Sequence, residues 1–419
     1  MNGRGSVAVV GAGVAGLTAA HYLSRTRDVV LYEADDRLGG HAHTHELPAA
    51  EGGTLRVDTG FIVHNERTYP HLLRLFHELD VPTQDAEMSM SVRCDGCGLE
   101  YAGARGLRGL LGGGNVRRRK HLLTLAHVPR FHRAARGLLA ADDMTLTLGG
   151  FLRAHRFSAH FVSHFAIPLV SAVWSCAPDT ALRYPAVYLF RFLDHHGLLS
   201  VTGSPQWRTV TGGSAAYVER LAKSIPSVRT DTAVRAVVRG DGRATVVTAD
   251  GASAEHAGLV LAVHPDQALR LLADPTEQER RVLGAFTYSR NPTVLHRDTS
   301  LLPRSPHARA SWNYLLPSCT ARPGSVQVSY DMNRLQRLGT REPHVVTLNP
   351  GNRVDPSTVL ARMTYEHPVY TPESVAAQRL LPTLRTPVTT YAGAYHGWGF
   401  HEDGCRSGVE AARHLGART

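Results

Sequence analysis

Glycines at phosphate-binding spacing come first in this chain. In Ser6–Gly16, SVAVVGAGVAG, a β-branched run is interrupted by Gly11, Gly13 and Gly16. Gly11 permits a tight turn, Gly13 lets the backbone approach a pyrophosphate, and Gly16 lets the following helix pack on the strand. A helix opening at Val14 and Ala15 offers free N–H groups and a positive dipole end to an anion. Glu33 ends a second apolar run, Val29–Tyr32, where its carboxylate can accept hydrogen bonds from both ribose hydroxyls and would repel a 2′-phosphate. The pattern therefore predicts a dinucleotide ligand, FAD or NAD rather than NADP. Side chains that could contact a substrate or carry a proton are Tyr69, His195, His196, Trp207, Tyr395 and His401. No nucleophile–base triad is apparent, and a redox cofactor requires none.

The stretch Glu33-Ala34-Asp35-Asp36-Arg37-Leu38-Gly39-Gly40-His41 continues the fingerprint, and LRVDTGFIVHNERTYP follows over Leu55–Pro70. With Pro168–Trp174, Asp194–Leu199, Gln206–Gly213 and the C-terminal Thr389–Gly404, these motifs give the chain, over nearly its whole length, a resemblance to the flavin amine oxidase superfamily. Within it the chain resembles a family of bacterial NAD/FAD-binding proteins often encoded beside cyclopropane fatty acid synthases. The resemblance implies noncovalent FAD, with paired Gly39 and Gly40 beside the pyrophosphate and the backbone at Val234 against the adenine. Besides Gly11, Gly13, Val14, Ala15, Gly16 and Glu33, it assigns Ala34, Arg37, His41, Thr59, Gly60, Phe61, Gly393, Phe400, Asp403 and Gly404 to the cofactor. His41 stands where the superfamily has arginine, and Ala394 where it has an acid. Asp403 is expected to cap the last helix, whose first N–H groups would face the flavin. Tyr69, His196, Tyr395 and His401 are the candidates for the catalytic centre.

The elements that must hold these residues read as an α/β fold. A Rossmann-like FAD-binding domain of glutathione reductase type is expected from residues 1–87, 201–265 and 387–419, because neither terminal stretch alone supplies enough strands for the sheet. An interleaved α+β substrate domain takes residues 88–200 and 266–386. Helices are expected over Val14–Ser24, His71–Leu79 and Ala215–Ser224, and strands over Val228–Thr230, Leu259–Val263, Ser325–Tyr330 and Val345–Leu348. Val234–Arg239 and Thr245–Ala249 read as a hairpin turning at Asp241-Gly242. Phe151, Phe157, Phe161 and Phe165 are spaced as core positions; the resemblance instead puts their helices over the substrate cavity.

Two further patterns invite a metal reading. His41, His43 and His45 alternate as if on one face of a strand, but no acid or cysteine cluster completes a ligand set. Cys94-Asp95-Gly96-Cys97 reads as a hairpin with a two-residue Asp95-Gly96 turn, and no second CxxC or neighbouring Cys/His pair accompanies it in sequence. Adjacent hairpin thiols and no metal are therefore expected. Cys405 lies outside any known flavin-linking motif.

The chain has 419 residues, five cysteines and a formal net charge of +10 carried almost wholly by arginine, with Lys120 and Lys223 the only lysines. An odd cysteine count in a chain this long is not a disulfide framework, and the first strand begins near Met1 without room for a signal peptide, so a cytoplasmic location is expected. The basic balance favours anionic partners, such as an acyl carrier or the inner membrane face, and Arg117–Lys120 would be the docking segment. No recognition motif points to nucleic acid.

Many amine-oxidising relatives hold a lysine-bound water near the flavin, and neither lysine here falls in a flavin-facing segment. The first expectation is thus an FAD oxidoreductase that takes hydride from a carbon of a hydrophobic, fatty acyl or lipid-like substrate. The alternatives are a flavin-dependent double-bond isomerase of unsaturated acyl chains and a non-redox lipid-binding module on a flavin fold.

Overall fold

A computed structural model describes residues 5–49, 52–141, 143–200, 203–319, 324 and 326–419. Val201, the expected start of a domain segment, and Ser325, the expected start of a strand, lie outside the described residues. The strand there runs Val328–Asp331.

Val7–Val10 is buried at all four positions, as the β-branched run requires of a central parallel strand. It pairs in parallel with Val29–Tyr32 on one side and Gly258–Leu261 on the other. Ser227–Arg229 and Thr389–Tyr391 complete a five-stranded parallel sheet at its two edges. Five strands are thereby drawn from three distant stretches of chain. The helices Val14–Ser24 and His401–His414 pack closely on one face, where a Cβ on Gly408 would lie 2.4 Å from the Ala15 carbonyl oxygen. The other face is covered by the antiparallel strands Val234–Gly240, Arg243–Thr248 and Ser253–His256, through Val237, Ala244 and Val246. The Asp241-Gly242 turn falls where the sequence puts it, with Gly240 opposite Arg243.

A seven-stranded sheet forms the second layer system, in the order Val359–Val369, Thr287–His296, Val345–Leu348, Val328–Asp331, Trp312–Leu316, Met90–Cys94, Leu99–Gly103. Above it lie helices between residues 119 and 195. Phe131, Phe151, Phe157, Phe161 and Phe190 stack into one aromatic core with centroid spacings of 4.7–6.3 Å. These phenylalanines are core; the wall of the cavity below comes instead from the end of the helix Ile167–Trp174.

Several local expectations are corrected. The histidine alternation does not lie on one strand, which starts only at Thr44. His41 turns away toward Tyr365 and His367, while the His43 and His45 rings meet at a tilt with centroids 4.2 Å apart. The CxxC hairpin turns through four residues, Asp95–Gly98, because Cys94 pairs with Leu99. Its thiols are not alone: His164 and Cys319, 67 and 225 residues away from their hairpin partners, fold against them. Asp403 is not the cap of the last helix. That helix starts at His401, and Asp403 reaches back from its third position to accept the Phe400 N–H at 3.1 Å.

Candidate active site

The glycine corner is built by close approach. Gly11 has φ of +98°, and a Cβ there would sit 2.7 Å from the Ala262 carbonyl oxygen. A Cβ on Gly16 would lie 1.8 Å from the Gly11 carbonyl oxygen, so only glycine lets the helix seat on the turn. Gly13 differs, since a Cβ there meets nothing within 4 Å and would project into open space. Gly39 donates its N–H to the Ala12 carbonyl at 2.8 Å, and a Cβ on Gly40 would approach Gly13 Cα to 3.1 Å. The second glycine pair therefore lies against the first. Glu33 accepts the Ala12 N–H at 2.6 Å and the Asp35 N–H at 3.0 Å, which fixes the carboxylate beside the turn with acceptor capacity left over. The first helical turn carries no acid, leaving its N-terminal end free for an anion.

These elements open into a cavity of about 680 Å³ that runs from the glycine corner to the seven-stranded sheet. Of the residues expected around the cofactor, Gly11, Gly13, Val14, Ala15, Glu33, Ala34, Gly40, His41, Thr59, Gly60, Phe61, Val234, Gly393 and Phe400 line it. Gly16, Arg37, Gly39, Asp403 and Gly404 do not. Arg37 bonds the Gly40 carbonyl at 2.9 Å, and Gly404 lets the last helix pass the first, where a Cβ would meet Val14 Cγ1 at 2.7 Å. They support the wall rather than form it. The buried Tyr395 Oη, Trp207 Nε1 and Trp312 Nε1 belong to lining residues and have no hydrogen-bond partner among the described residues. A cleft with a glycine cradle at one end and unpaired buried polar atoms along it fits an elongated dinucleotide with a substrate beyond.

Tyr69, Tyr395 and His401 line this cavity, and His196 does not. His196 stacks on Phe192 at 4.0 Å with Nδ1 3.0 Å from the Phe192 carbonyl, and it faces a smaller cavity of about 220 Å³ shared with His71, His195, Glu402 and Asp403. Its partner is the end of its own helix. His401 lies flat against Phe61, centroids 3.6 Å apart, with Nε2 2.9 Å from Tyr217 Oη. Burial pushes the His401 imidazole down to about 3 and holds the Tyr69 and Tyr395 hydroxyls well above their ordinary range. His401 is therefore neutral at physiological pH, and its open ring nitrogen is Nδ1. His41 is likewise held neutral, first by burial and then by His367 and His264. The buried Asp403 carboxyl rises to about 6.

Sequence reasoning missed His264, Tyr288, Tyr365, His367, Trp312 and Tyr330, all of which line the cavity. His264 stacks on Tyr288 at 3.9 Å, and Tyr365 Oη lies 2.6 Å from Thr59 Oγ1. Trp312 and Tyr330 are direct cross-strand partners with rings edge to face at 5.3 Å. An aromatic at each end of two adjacent strand segments was the available signal. Without the pairing of the strands it does not distinguish wall from core.

A parallel sheet with a glycine-rich first turn, a packed C-terminal helix and a cavity shared with a second sheet define an α/β dinucleotide-binding flavoprotein. The sequence profile of flavin-containing amine oxidoreductases matches residues 14–294, and the chain belongs to that family, whose cofactor is FAD. AofH of Mycobacterium tuberculosis, named as a flavin-containing monoamine oxidase, is 29% identical over 291 residues, 64% of this chain. The match spans 59% of the length of that relative. Among solved structures, the fold is similar to a CLA-producing fatty acid isomerase from P. acnes, with a TM-score of 0.71 and 18% identity over 99% of each chain. It is also similar to cyclohexylamine oxidase from Brevibacterium oxydans, with a TM-score of 0.68 and 17% identity over 98% of each chain. Among the described residues no helix is long and apolar enough to cross a membrane.

Proposed function

We propose that this protein is an FAD-dependent oxidoreductase acting on a carbon centre of a hydrophobic, acyl-type substrate. The observation that carries the reading is the wall of the cavity away from the glycine corner: Met88, Val173, Trp174, Phe192, Leu198, Trp207, Trp312, Tyr330 and Leu348. It includes no carboxylate to pair with an ammonium group. Glu366, an acid elsewhere in the lining, is ion-paired with the exposed Arg290 at 3.5 Å and lies 3.3 Å from the ring of His264, an imidazole whose pKa burial lowers. An amine substrate would be desolvated there without a counter-charge, which is costly. Neither lysine lines the cavity.

In this reading, residues 1–87, 201–265 and 387–419 hold FAD and residues 88–200 and 266–386 shape the substrate space. Bound FAD supplies a two-electron acceptor for hydride from carbon. The glycine corner and the Val14 helix end bind phosphate, and Glu33 binds ribose. The aromatic wall excludes water and aligns the chain. Tyr69 stays protonated and His401 stays neutral, so Tyr69 can donate a hydrogen bond and His401 can offer Nδ1 to a substrate atom within reach without changing charge.

A second reading, double-bond isomerisation, is motivated by the fold shared with a fatty acid isomerase. Anaerobic incubation with unsaturated and cyclopropane acyl chains separates the two. With no acceptor present, net oxidation leaves the flavin reduced and bleached and yields about one product lighter by two hydrogens per flavin, which is the expected result. Unchanged mass with oxidised flavin would make the enzyme an isomerase. Turnover of simple amines and of no acyl chain would overturn the substrate assignment.

We also propose that the substrate is met at an anionic membrane surface. Leu107, Val116, Leu122 and Leu123 are 74%, 56%, 39% and 50% exposed, on segments that also carry the exposed Arg108, Arg117, Arg119 and Lys120. Arg118, in the same basic run, is turned inward onto the Cys97 and Gly98 carbonyls. Leu122→Glu combined with Leu123→Glu should lower sedimentation with phosphatidylglycerol vesicles by about tenfold or more, and high salt should weaken wild-type binding. Equal binding by the double variant would return this face to solvent.

A further inference from the structure

We infer that this chain holds a structural zinc ion on Cys94, Cys97, His164 and Cys319. The four ligand atoms all lie within 4.8 Å of one another. Cys94 Sγ is 3.5 Å from Cys319 Sγ, and Cys97 Sγ is 3.7 Å from His164 Nε2. Ligands placed tetrahedrally at ordinary Zn–S and Zn–N lengths are separated by about 3.5–3.8 Å. Three thiolates and one imidazole, with no water position required, are the donor set of a closed structural site rather than a catalytic one.

The surroundings suit a metal better than four unrelated side chains. The sequence Cys94-Asp95-Gly96-Cys97-Gly98 forms the tip of a hairpin whose Gly98 has φ of +67°. A Cβ on Gly96 would lie 2.8 Å from the Cys319 backbone nitrogen, so glycine is what lets the two cysteine segments close on each other. The tip is also tied to the strand leading to Cys319, since the Asp95 N–H donates to the Leu316 carbonyl at 2.9 Å. The other ring nitrogen of His164 is engaged, with Nδ1 2.7 Å from Ser163 Oγ and 3.2 Å from the His160 carbonyl. Carrying the proton on Nδ1 leaves the Nε2 lone pair facing the thiols, the arrangement by which outer partners orient a histidine ligand. His164 sits in a π-helical turn, Val162–Ala166, an insertion that re-aims a side chain out of regular helix.

Charge also balances locally. Zn²⁺ would displace one proton from each of three thiols, and with a neutral imidazole the centre carries a net charge of −1. The Arg118 guanidinium is already in place beside it, donating to the Cys97 carbonyl at 2.7 Å and the Gly98 carbonyl at 3.2 Å. The site would join the edge hairpin and the end of a central strand of the seven-stranded sheet to the helix that runs on to Trp174 in the cavity wall. It thus fixes the roof of the substrate space to its floor without taking part in the reaction.

The test uses the full chain purified under reducing conditions from zinc-supplemented cells. Elemental analysis should find about one zinc per chain. Exchange with Co²⁺ should give thiolate-to-cobalt charge transfer and the intense visible bands of a tetrahedral centre. Cys319→Ser and His164→Gln should each lower zinc content at least about fivefold, while Cys176→Ser, in the helical core, should leave it unchanged. The wild-type measurement decides even if a variant fails to fold. Wild-type protein with less than about 0.1 equivalent of zinc and no cobalt–thiolate absorption would overturn the inference.

Discussion

Gly13→Ala should produce a protein that folds as the wild type does and has lost most of its affinity for FAD. The added methyl group meets no atom of the described residues within 4 Å, and Gly13 has φ of −70°, which alanine adopts without strain. It projects into the cavity at the turn where a pyrophosphate must come closest to the backbone. Flavin affinity should fall by about a hundredfold or more, equivalent to roughly 2.7 kcal/mol, with the melting temperature of the apoprotein unchanged within about 2 °C. Gly16→Ala gives the contrast. Its methyl would sit 1.8 Å from the Gly11 carbonyl oxygen, so the helix must lift off the strand and the apoprotein itself should be destabilised. Fluorescence titration of apoprotein with FAD and thermal melts of both variants measure the two effects separately. Full FAD affinity in Gly13→Ala would place the cofactor elsewhere.

Acid should unfold this protein at a mild pH, because its interior keeps several histidines neutral. Burial is the first cause in each case: His64 and His196 are pushed down to about 4 and His401 to about 3. His367 and His396 move in the same direction, to about 4 and about 3. Below the ordinary value of 6.5 the unfolded chain binds protons that the folded chain refuses, so stability present above pH 6.5 is lost as the pH falls toward 4. Each of these five imidazoles contributes up to about 1.4 kcal/mol per pH unit across that window. Asp58 and Asp403, both raised to about 6 by burial, act oppositely, since the folded form holds protons that the unfolded chain releases above 3.8. Two carboxyls do not offset five histidines. The melting temperature should therefore drop by about 10 °C or more between pH 7 and pH 5. Melts across that range, with excess FAD present throughout, test it, and a flat profile would mean that water reaches these imidazoles.

The dinucleotide corner was legible in the sequence because its physics is local. A buried strand, a turn that tolerates only glycine, and a helix start fall within Ser6–Ser24, and Glu33 follows one strand later. Backbone sterics and hydrophobic burial over so short a span leave little to the rest of the chain. The C-terminal return motif was legible in its composition but misread in detail. Asp403 reads by position as the N-cap, and it instead accepts the Phe400 N–H from the third helical position, while Gly404 stands where the last helix crosses the first.

What only the tertiary structure decided is where distant segments meet. His196 carries a side chain fit for catalysis, and its helix axis turns it onto the Phe192 carbonyl instead of the cavity. Arg118 belongs by sequence to a basic run and by structure to the carbonyls of a hairpin tip. Cys94 and Cys97 read as hairpin thiols without a ligand set because the residues that face them come from a π-helical turn and from beyond the strand Trp312–Leu316, far away in sequence. Ligand sets are fixed by distance in space, and a separation of 225 residues carries no periodicity for a linear reading to detect. The parallel pairing of Met90–Cys94 with Trp312–Leu316 closes that distance, through a sheet register set by burial on both strands.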